Sequence, residues 1–199
     1  QTSGSLKKVQ IQYRGEVAEK QTKLITSSFT AGLLSHSFEA EINIVNATVF
    51  AKDRGIDISE DKSTEVGTLS TLISATVETE DGKFSAAGTI FGQDFLRLTK
   101  LDEFYLDGYL DGNLLIYRHN DVPGLIGYIG TVLGNHKVNI AHMALGRLQN
   151  QPGGEAIAVL NVDGDVPDEA IAEVSSHKDV SCVKLIKMPP ATAPLSWLQ

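Results

Sequence analysis

The segment from residue 119 to residue 147 places the strongest constraint on the fold, because it sets a glycine-bearing helix between two strand patterns. Its apolar residues recur at the spacing of one helix face: Leu125, Ile129, Val132 and Leu133. Three glycines lie in the same predicted helix, over residues 125–136: Gly127, Gly130 and Gly134. Since each costs about 1 kcal/mol relative to alanine, we expect the backbone there to lie close to a sheet, a ligand or another subunit. A weak helix packed on its own sheet explains the glycines equally well.

The elements around this helix alternate in a regular order. A second helix is predicted at residues 167–178, with Pro167 in its first turn, where the missing N–H costs nothing. Four strands are predicted, at residues 114–119, 138–147, 156–162 and 180–187. The order βαββαβ is that of the ferredoxin-like fold. We expect such a domain over residues 113–188, followed by a proline-rich tail at 189–199.

The first half predicts an α+β domain whose sheet is rich in antiparallel strands. Two long strand patterns, at residues 72–77 and 84–91, flank an Asp-Gly pair, the strongest short signal of a β-hairpin. The other predicted elements are a strand at 8–14, helices at 24–34 and 44–54, a short strand at 56–60 and a strand pair at 95–98 and 104–106. We place this domain at residues 1–110, with the boundary marked by Gly108 and Gly112.

The composition excludes several classes of function. A net charge of −8 argues against a nucleic-acid partner, since phosphate binding needs clustered lysine and arginine. No apolar run is long enough for a membrane span. The single cysteine, Cys182, suits a reducing compartment, and its place in a predicted strand indicates a buried, inert thiol. We therefore expect a soluble cytoplasmic protein that binds neither nucleic acid nor membrane.

The glycines at the start of the helix do not form a dinucleotide-binding loop. Gly124, Gly127 and Gly130 lack the G-x-G pair that approaches a pyrophosphate, and no acidic residue ends the following strand. His136 and His142 lack the spacing of a metal site. Four acidic residues crowd the start of the second helix, where its dipole and capping favour them: Asp163, Asp165, Asp168 and Glu169. We expect no catalytic centre and no metal site in this chain.

Polar residues at the helix start indicate a ligand site instead. His119 and Asp121 end a strand, and Gly124 leads into free N–H groups at the helix terminus, which hold a carboxylate or a phosphate. Asp121 can meet an ammonium group, and Asn139 offers both a donor and an acceptor. Together these groups describe a receptor for an amino acid. In the alternative, Asp121 is only a helix cap and Asn139 a strand-edge amide, and the residues alone do not decide between the two.

The second half resembles the ACT domain, a βαββαβ module that senses small molecules, and in particular the ACT domain of the D-3-phosphoglycerate dehydrogenase family. The resembling motifs are RHNDVPG at residues 118–124, IGTVLG at 129–134, VNIA at 138–141 and GR at 146–147. The first half is similar to the intervening domain of the longer forms of that enzyme. Its motifs are YRGE at residues 13–16, VNA at 45–47 and GTIFG at 88–92.

The resemblance implies a C-terminal regulatory segment of an NAD-dependent enzyme, with NAD bound by the catalytic part and no cofactor bound here. It also implies that L-serine, or a similar amino acid, binds as an allosteric effector between two ACT domains of a homo-oligomer. The ligand-holding positions carry over to His119, Asp121 and Asn139. The effector carboxylate is then expected at Gly124 and the N–H of Leu125.

The resemblance implies two further features and leaves two alternatives open. Arg97 matches a basic, anion-binding position of the intervening domain, and the strand at 114–119 is expected to pair with its symmetry mate. One alternative is a regulatory module of an iron–sulfur L-serine dehydratase, against which stands the lack of cluster-binding cysteines in the sequence. The other is a purely structural module that dimerises its enzyme and carries a degenerate site.

Overall fold

The structure, a computed structural model, describes residues 5–35, 38, 41–92 and 95–188. The chain divides into two compact units between Ile90 and Phe91. Both units combine helices with largely antiparallel strands, which confirms the predicted α+β class. The domain limits suggested by the sequence, 1–110 and 113–188, remain predictions. The predicted tail at 189–199 lies outside the described residues.

The first unit is a sheet with helices packed on one face. Its elements are β1 (Leu6–Gly15), a 3-10 helix (Glu16–Glu19), α1 (Lys23–Ser35), α2 (Ala47–Asp53), β2 (Asp57–Ser63), β3 (Thr71–Thr79) and β4 (Gly82–Phe91). β1 runs parallel to β2 and antiparallel to β3, and β3 pairs with β4, as the predicted hairpin requires. Alternate residues of β1 form the core with Leu34 and Ala51 of the helices: Val9, Ile11 and Tyr13.

Two elements of this unit differ in extent from the sequence-based prediction. α2 begins at Ala47 rather than at residue 44, because Asn43 and Asn46 build a turn ahead of it. The side chain of Asn43 accepts from the N–H of Val45 at 2.9 Å, and that of Asn46 accepts from the N–H of Asn43 at 2.8 Å. β2 continues to Ser63 because its parallel pairing with β1 holds it to the end of that strand.

The second unit contains a hairpin and a four-stranded sheet with two helices. Its elements are β5 (Phe95–Leu101), β6 (Phe104–Tyr109), β7 (Asn113–Asn120), α3 (Leu125–Asn135), β8 (Ile140–Arg147), a 3-10 helix (Leu148–Asn150), β9 (Glu155–Val162), α4 (Asp168–Ser175) and β10 (Val180–Lys187). The sheet order is β10-β7-β9-β8, and each neighbouring pair is antiparallel. The predicted βαββαβ order is confirmed. α4 is shorter than the helix predicted at residues 167–178, since it begins at Asp168 and ends at Ser175.

The hairpin β5–β6 packs against the strands β8 and β9. Gly108, predicted to mark a domain boundary, lies inside β6, and the boundary itself stays a prediction. A Cβ atom at Gly108 would lie 3.6 Å from Cγ1 of Val159 on β9, which shows how closely the two strands approach. On the neighbouring strand Arg118 forms ion pairs with Asp102 of the hairpin turn and with Glu155, the latter at 3.8 Å.

β7 lies in the interior of its sheet, between β10 and β9. Both of its edges are therefore occupied, and the expectation that the strand at 114–119 pairs with its symmetry mate is wrong. The strands that end the sheet are β8 and β10. A second copy can extend this sheet only through one of those two edges.

Cys182 lies in β10 with its side chain exposed, so the expectation of a buried thiol is wrong. Successive residues of a strand point to opposite faces, and the neighbours of Cys182 at Val183 and Leu185 take the partly buried positions that pack on the core. No helix within the described ranges is long and apolar enough to cross a membrane.

Candidate functional site

β7, β9 and β8 bring two distant polar residues into one row of the sheet. In the pairing of β7 with β9, His119 lies opposite Ala156, and in the pairing of β8 with β9, Arg147 lies opposite the same alanine. Directly paired residues point to the same face, so His119 and Arg147 share a face with the small side chain of Ala156 between them. Asp121 follows the end of β7 and completes the group.

His119 is buried, with 3% of its surface exposed. Its Nδ1 lies 2.8 Å from the carbonyl oxygen of Asn120. Because a carbonyl only accepts, Nδ1 carries the hydrogen, and Nε2 is the acceptor of the tautomer that this contact selects. Within the described residues this buried Nε2 has no hydrogen-bond partner. An unsatisfied buried acceptor costs about 1–3 kcal/mol and marks a place where a ligand donor is favoured.

Asp121 is part of an ion pair that the sequence did not indicate. Its Oδ2 lies 2.8 Å from Nε of Arg147 and also accepts from the N–H of Gly153 at 3.4 Å. The alternative that Asp121 is only a helix cap is wrong, because α3 has Gly124 at its N-cap and no side-chain cap. Arg147 entered the sequence interpretation only through a short motif, since nothing in the chain order places it beside Asp121.

The start of α3 leaves its first N–H groups without a capping side chain. Gly124 has φ 90°, a left-handed conformation that residues with a Cβ rarely adopt, so glycine is required there. The side chain of Leu125 is buried in the core, and only its N–H is available to a ligand. The anion-holding role of this helix start stays a prediction.

Asn139 lies apart from the other predicted ligand-holding residues. It directly precedes β8, whereas Arg147 ends that strand, so the eight residues of β8 place the two roughly 25 Å apart. Its side-chain amide donates to Oδ2 of Asp163 at 2.7 Å, and its carbonyl accepts from the N–H of Asp163 at 3.0 Å. The structure therefore brings His119 and Asp121 together within one chain and leaves Asn139 at the opposite end of β8.

A cavity of about 830 Å³ opens beside His119 and Asp121. The residues that give it its chemistry are Glu103, Tyr105, His119, Asp121, Leu145 and Arg147. Glu103 and Tyr105 belong to the β5–β6 hairpin, and the others come from the ACT-like sheet and its loops. The lining thus combines two carboxylates, one guanidinium and the ring of a buried histidine.

The three helix glycines do not face the sheet. A Cβ atom built on Gly127, Gly130 or Gly134 would meet no atom within 4 Å. The explanation by packing on the helix's own sheet is therefore wrong. The glycines leave an open strip of backbone on α3, which is accessible to a ligand or to another subunit.

Arg97 lies on β5 and stacks on an aromatic ring. Its side chain is 16% exposed, and its guanidinium carbon lies 3.5 Å from the ring centroid of Tyr109, a cation–π stack. Its Nε is 3.5 Å from Oδ1 of Asp107 in an ion pair, and this buried Nε has no hydrogen-bond partner among the described residues. The anion-binding role of Arg97 stays a prediction.

Three other titratable residues lie in separate pairs: His136, His142 and Asp165. His136 contacts Glu173 at 3.0 Å, and the ring of His142 lies 4.2 Å from that of Tyr109. Asp165 meets Lys187 at 2.6 Å, and the hydrogen bond from this lysine lowers the pKa of its carboxyl. No group of three or more metal-ligating side chains occurs in the part of the chain that the structure describes.

Comparison with known proteins matches the chain to two families. The family described as the D-3-phosphoglycerate dehydrogenase intervening domain matches residues 1–102, and the ACT domain matches residues 113–179. The chain belongs to the D-3-phosphoglycerate dehydrogenase family. Among its relatives is the D-3-phosphoglycerate dehydrogenase of Methanocaldococcus jannaschii, 38% identical over 92% of this chain and 34% of that protein. That of Bacillus subtilis is 35% identical over 91% of this chain and 34% of its own length.

The chain spans about a third of the length of these relatives, 34% in both cases. Within this family, the intervening and ACT domains are the regulatory part of the enzyme. His119, Asp121, Gly124, Leu125, Asn139 and Arg147 all lie in the matched ACT domain, and Arg97 lies in the matched intervening domain.

Proposed function

We propose that this chain is the effector-binding part of an NAD-dependent D-3-phosphoglycerate dehydrogenase and that its ACT domain binds L-serine or a similar small amino acid. NAD is held by the catalytic part of the enzyme, and the described residues serve no cofactor. The observation that carries the proposal is the buried, unpartnered Nε2 of His119 beside the carboxylate of Asp121, at one cavity of an ACT domain. The histidine accepts a hydrogen from the effector, and Asp121 attracts its ammonium group.

The effector site is completed by a second copy of the chain. β8 is an edge strand that pairs only with β9 among the described strands, and it carries two exposed apolar side chains, Met143 and Leu145. Two β8 strands that pair antiparallel about a two-fold axis run in opposite directions. The partner subunit's Asn139 then lies near the end of β8 that carries Arg147, and so near His119 and Asp121. This pairing accounts for the separation of Asn139 from the other site residues in one chain.

Effector binding between two domains gives a direct route to regulation. An amino acid held by both copies favours the packing in which the two half-sites meet. Because a ligand shifts an equilibrium only through its different affinity for the two states, L-serine selects that packing and restrains the catalytic part joined to it. The uncapped N–H groups at Gly124 and Leu125 hold the effector carboxylate in this arrangement.

Calorimetry with mixed variants tests the proposal. The 199-residue chain is titrated with L-serine, and binding is expected to release or absorb heat. Asp121→Ala and Asn139→Ala are each expected to abolish this heat. When the two variants are unfolded together and refolded, half of the dimers are mixed and each contains one intact site, so about a quarter of the binding sites return. No heat with millimolar L-serine in the unmodified chain contradicts the proposal. Failure of the mixture to bind contradicts the shared site.

A purely dimerising module is the second candidate, and one observation favours it. Oδ2 of Asp121 is already occupied by Arg147, which leaves less negative charge to attract an ammonium group. In that case the chain forms a concentration-dependent dimer that binds none of the common amino acids. Sedimentation with and without each amino acid separates the two candidates.

A further inference from the structure

Among the described residues, Arg147 is the only lysine or arginine in the lining of the cavity beside His119 and Asp121. Glu103 and Asp121 contribute two negative charges to the same lining. Two carboxylates repel the carboxylate of an amino acid, so a zwitterion gains from this cavity only where a positive group is available to its negative end. Arg147 is that group, and its side chain is 44% exposed.

The contact with Asp121 leaves the outer end of the guanidinium open. Oδ2 of Asp121 lies 2.8 Å from Nε of Arg147. Within the described part of the chain, the ion pair of Arg147 is formed through Nε, and its side chain is 44% exposed. The two terminal nitrogens form the planar fork that matches the two oxygens of a carboxylate. The ion pair with Asp121 therefore involves Nε rather than the fork.

The same ion pair leaves Asp121 able to bind a cation. Its Oδ2 receives both Arg147 and the N–H of Gly153, whereas its Oδ1 has no partner among the described residues. His119 contributes the buried acceptor Nε2 on the same side of the sheet. The cavity thus offers a donor fork, a carboxylate oxygen and a neutral acceptor, which correspond to the carboxylate, the ammonium group and a hydrogen-donating side chain of one small amino acid.

We infer that Arg147 binds the carboxylate of the effector, in addition to the N–H groups at the start of α3, and that the Asp121–Arg147 pair sets the preference for a zwitterion. This inference rests on the proposed function, because it concerns the same site. It makes Arg147 a specificity residue and assigns Asp121 two tasks, to orient the arginine and to receive the ammonium group.

Titration with two ligands tests the role of Arg147. L-serine has a carboxylate, whereas L-serinamide has the same ammonium and hydroxyl groups and a neutral amide. Arg147→Gln is expected to weaken binding of L-serine by about 10- to 100-fold, the range for a lost charge-assisted hydrogen bond, and to leave binding of L-serinamide unchanged. Arg147→Lys keeps the charge but loses the fork. Its affinity for L-serine is expected to lie between that of the unmodified chain and that of Arg147→Gln.

The matched control is Lys184→Gln, which removes the same charge from β10 at the opposite edge of the sheet. It is expected to bind L-serine as the unmodified chain does, and circular dichroism checks that each variant is folded. Unchanged L-serine binding by folded Arg147→Gln overturns the inference and leaves the proposed function intact. Equal weakening for L-serine and L-serinamide also overturns it, because Arg147 then acts only by positioning Asp121. Absence of L-serine binding in the unmodified chain overturns the proposed function and the inference with it.

Discussion

Two buried tyrosines, Tyr13 in the first unit and Tyr117 in the second, are each 1% exposed but differ in what their hydroxyl groups meet. The hydroxyl of Tyr13 lies 2.7 Å from that of Thr26, which donates onward to Glu60. Thr22 donates to the other oxygen of Glu60 at 2.7 Å, so each carboxylate oxygen of Glu60 accepts a hydrogen bond from a threonine. The hydroxyl of Tyr117 has no partner in the described part of the chain, and neither has Nε2 of His119 two residues later.

The two units therefore differ in their buried polar groups: those around Tyr13 form hydrogen bonds that stabilise the fold, whereas those at Tyr117 and His119 are unpaired among the described residues. In the first unit each hydroxyl of the network has an acceptor, and such a network resists change because any missing member leaves a buried donor unpaired. In the second unit two buried polar atoms are unpaired on the face that carries the proposed site. Unsatisfied buried groups destabilise a fold. A ligand that forms a hydrogen bond with one of them removes this free-energy cost when it binds.

The largest expected effect is the removal of Glu60. Glu60→Ala leaves the buried hydroxyls of Thr22 and Thr26 without their acceptor, and we expect a loss of about 2–4 kcal/mol in the free energy of unfolding. Burial alone would raise the pKa of Glu60, but the hydrogen bonds from Thr26 and Thr22 outweigh it and lower the pKa. Its contribution is therefore present at neutral pH and lost as the pH falls below about 4.5 and through the lowered pKa.

Urea unfolding of Glu60→Ala at pH 7 and at pH 4 checks this expectation. Asp61→Ala is the control, because this exposed neighbour accepts a surface hydrogen bond from Gln10, and a change within about 0.5 kcal/mol is expected. If the two variants unfold alike, the network of Glu60 does not hold the first unit together.

The second largest expected effect is a loss of folding stability at alkaline pH. Burial raises the pKa of Tyr117 to about 12, whereas the unfolded chain loses the same proton near its usual value of 10.0. The stabilising effect is complete below pH 10 and is lost as the pH rises through 12, by about 2–3 kcal/mol in total. Unfolding followed between pH 9 and pH 11.5 is expected to show this loss, and Tyr117→Phe is expected to show less of it. An identical pH dependence in the variant contradicts the assignment.

The two tyrosines give a matched comparison at neutral pH. Tyr13→Phe removes a bonded hydroxyl and is expected to destabilise the chain by about 1 kcal/mol. Tyr117→Phe removes an unpaired hydroxyl and is expected to leave stability unchanged or to raise it by about 1 kcal/mol. Thermal unfolding of both variants measures the difference. Equal destabilisation by both changes indicates that the Tyr117 hydroxyl has a partner in solution.

The smallest expected effect concerns the open glycines of α3. Gly127→Ala adds a methyl group that meets no atom within 4 Å, so we expect the folded subunit to gain about 0.5–1 kcal/mol. If this strip of α3 contacts a second copy, the same change weakens association, and sedimentation shows the weakening. Gly146→Ala is the contrasting control, since its Cβ would lie 2.5 Å from the carbonyl oxygen of Tyr105 and must destabilise the unit. A stable Gly146→Ala variant contradicts the packing of β6 on β8.

The sequence predicted most of the fold because its local signals agree with one another. The period of the apolar residues separated strands from helices, and the Asp-Gly pair placed the β3–β4 hairpin. The limits of α2 were less predictable, since the turn at Asn43 and Asn46 depends on side-chain hydrogen bonds that a helical pattern conceals. The close packing at Gly108 was not predictable either, because a glycine required for close packing looks the same in sequence as one required for a turn.

The candidate site was predictable only in part. Adjacency in sequence placed His119, Asp121 and Gly124 together, because they surround one strand end and one helix start. Arg147 could not be placed beside Asp121 from the sequence, since their contact depends on the register of β7, β9 and β8. The wrong expectation for Cys182 has a similar origin, because a strand pattern does not show which face of the sheet is covered.

The amino-acid sequence by itself determined the class of both halves, the βαββαβ order and the resemblance to the D-3-phosphoglycerate dehydrogenase family, since these follow from local periodicity and contiguous motifs. Only the tertiary structure decided that β7 is interior, that Asn139 lies at the far end of β8 from Asp121, and that Asp121 is paired with Arg147. The physical reason is that strand pairing joins residues far apart in the chain. A ligand site depends on those pairings, whereas each element depends mainly on its own residues.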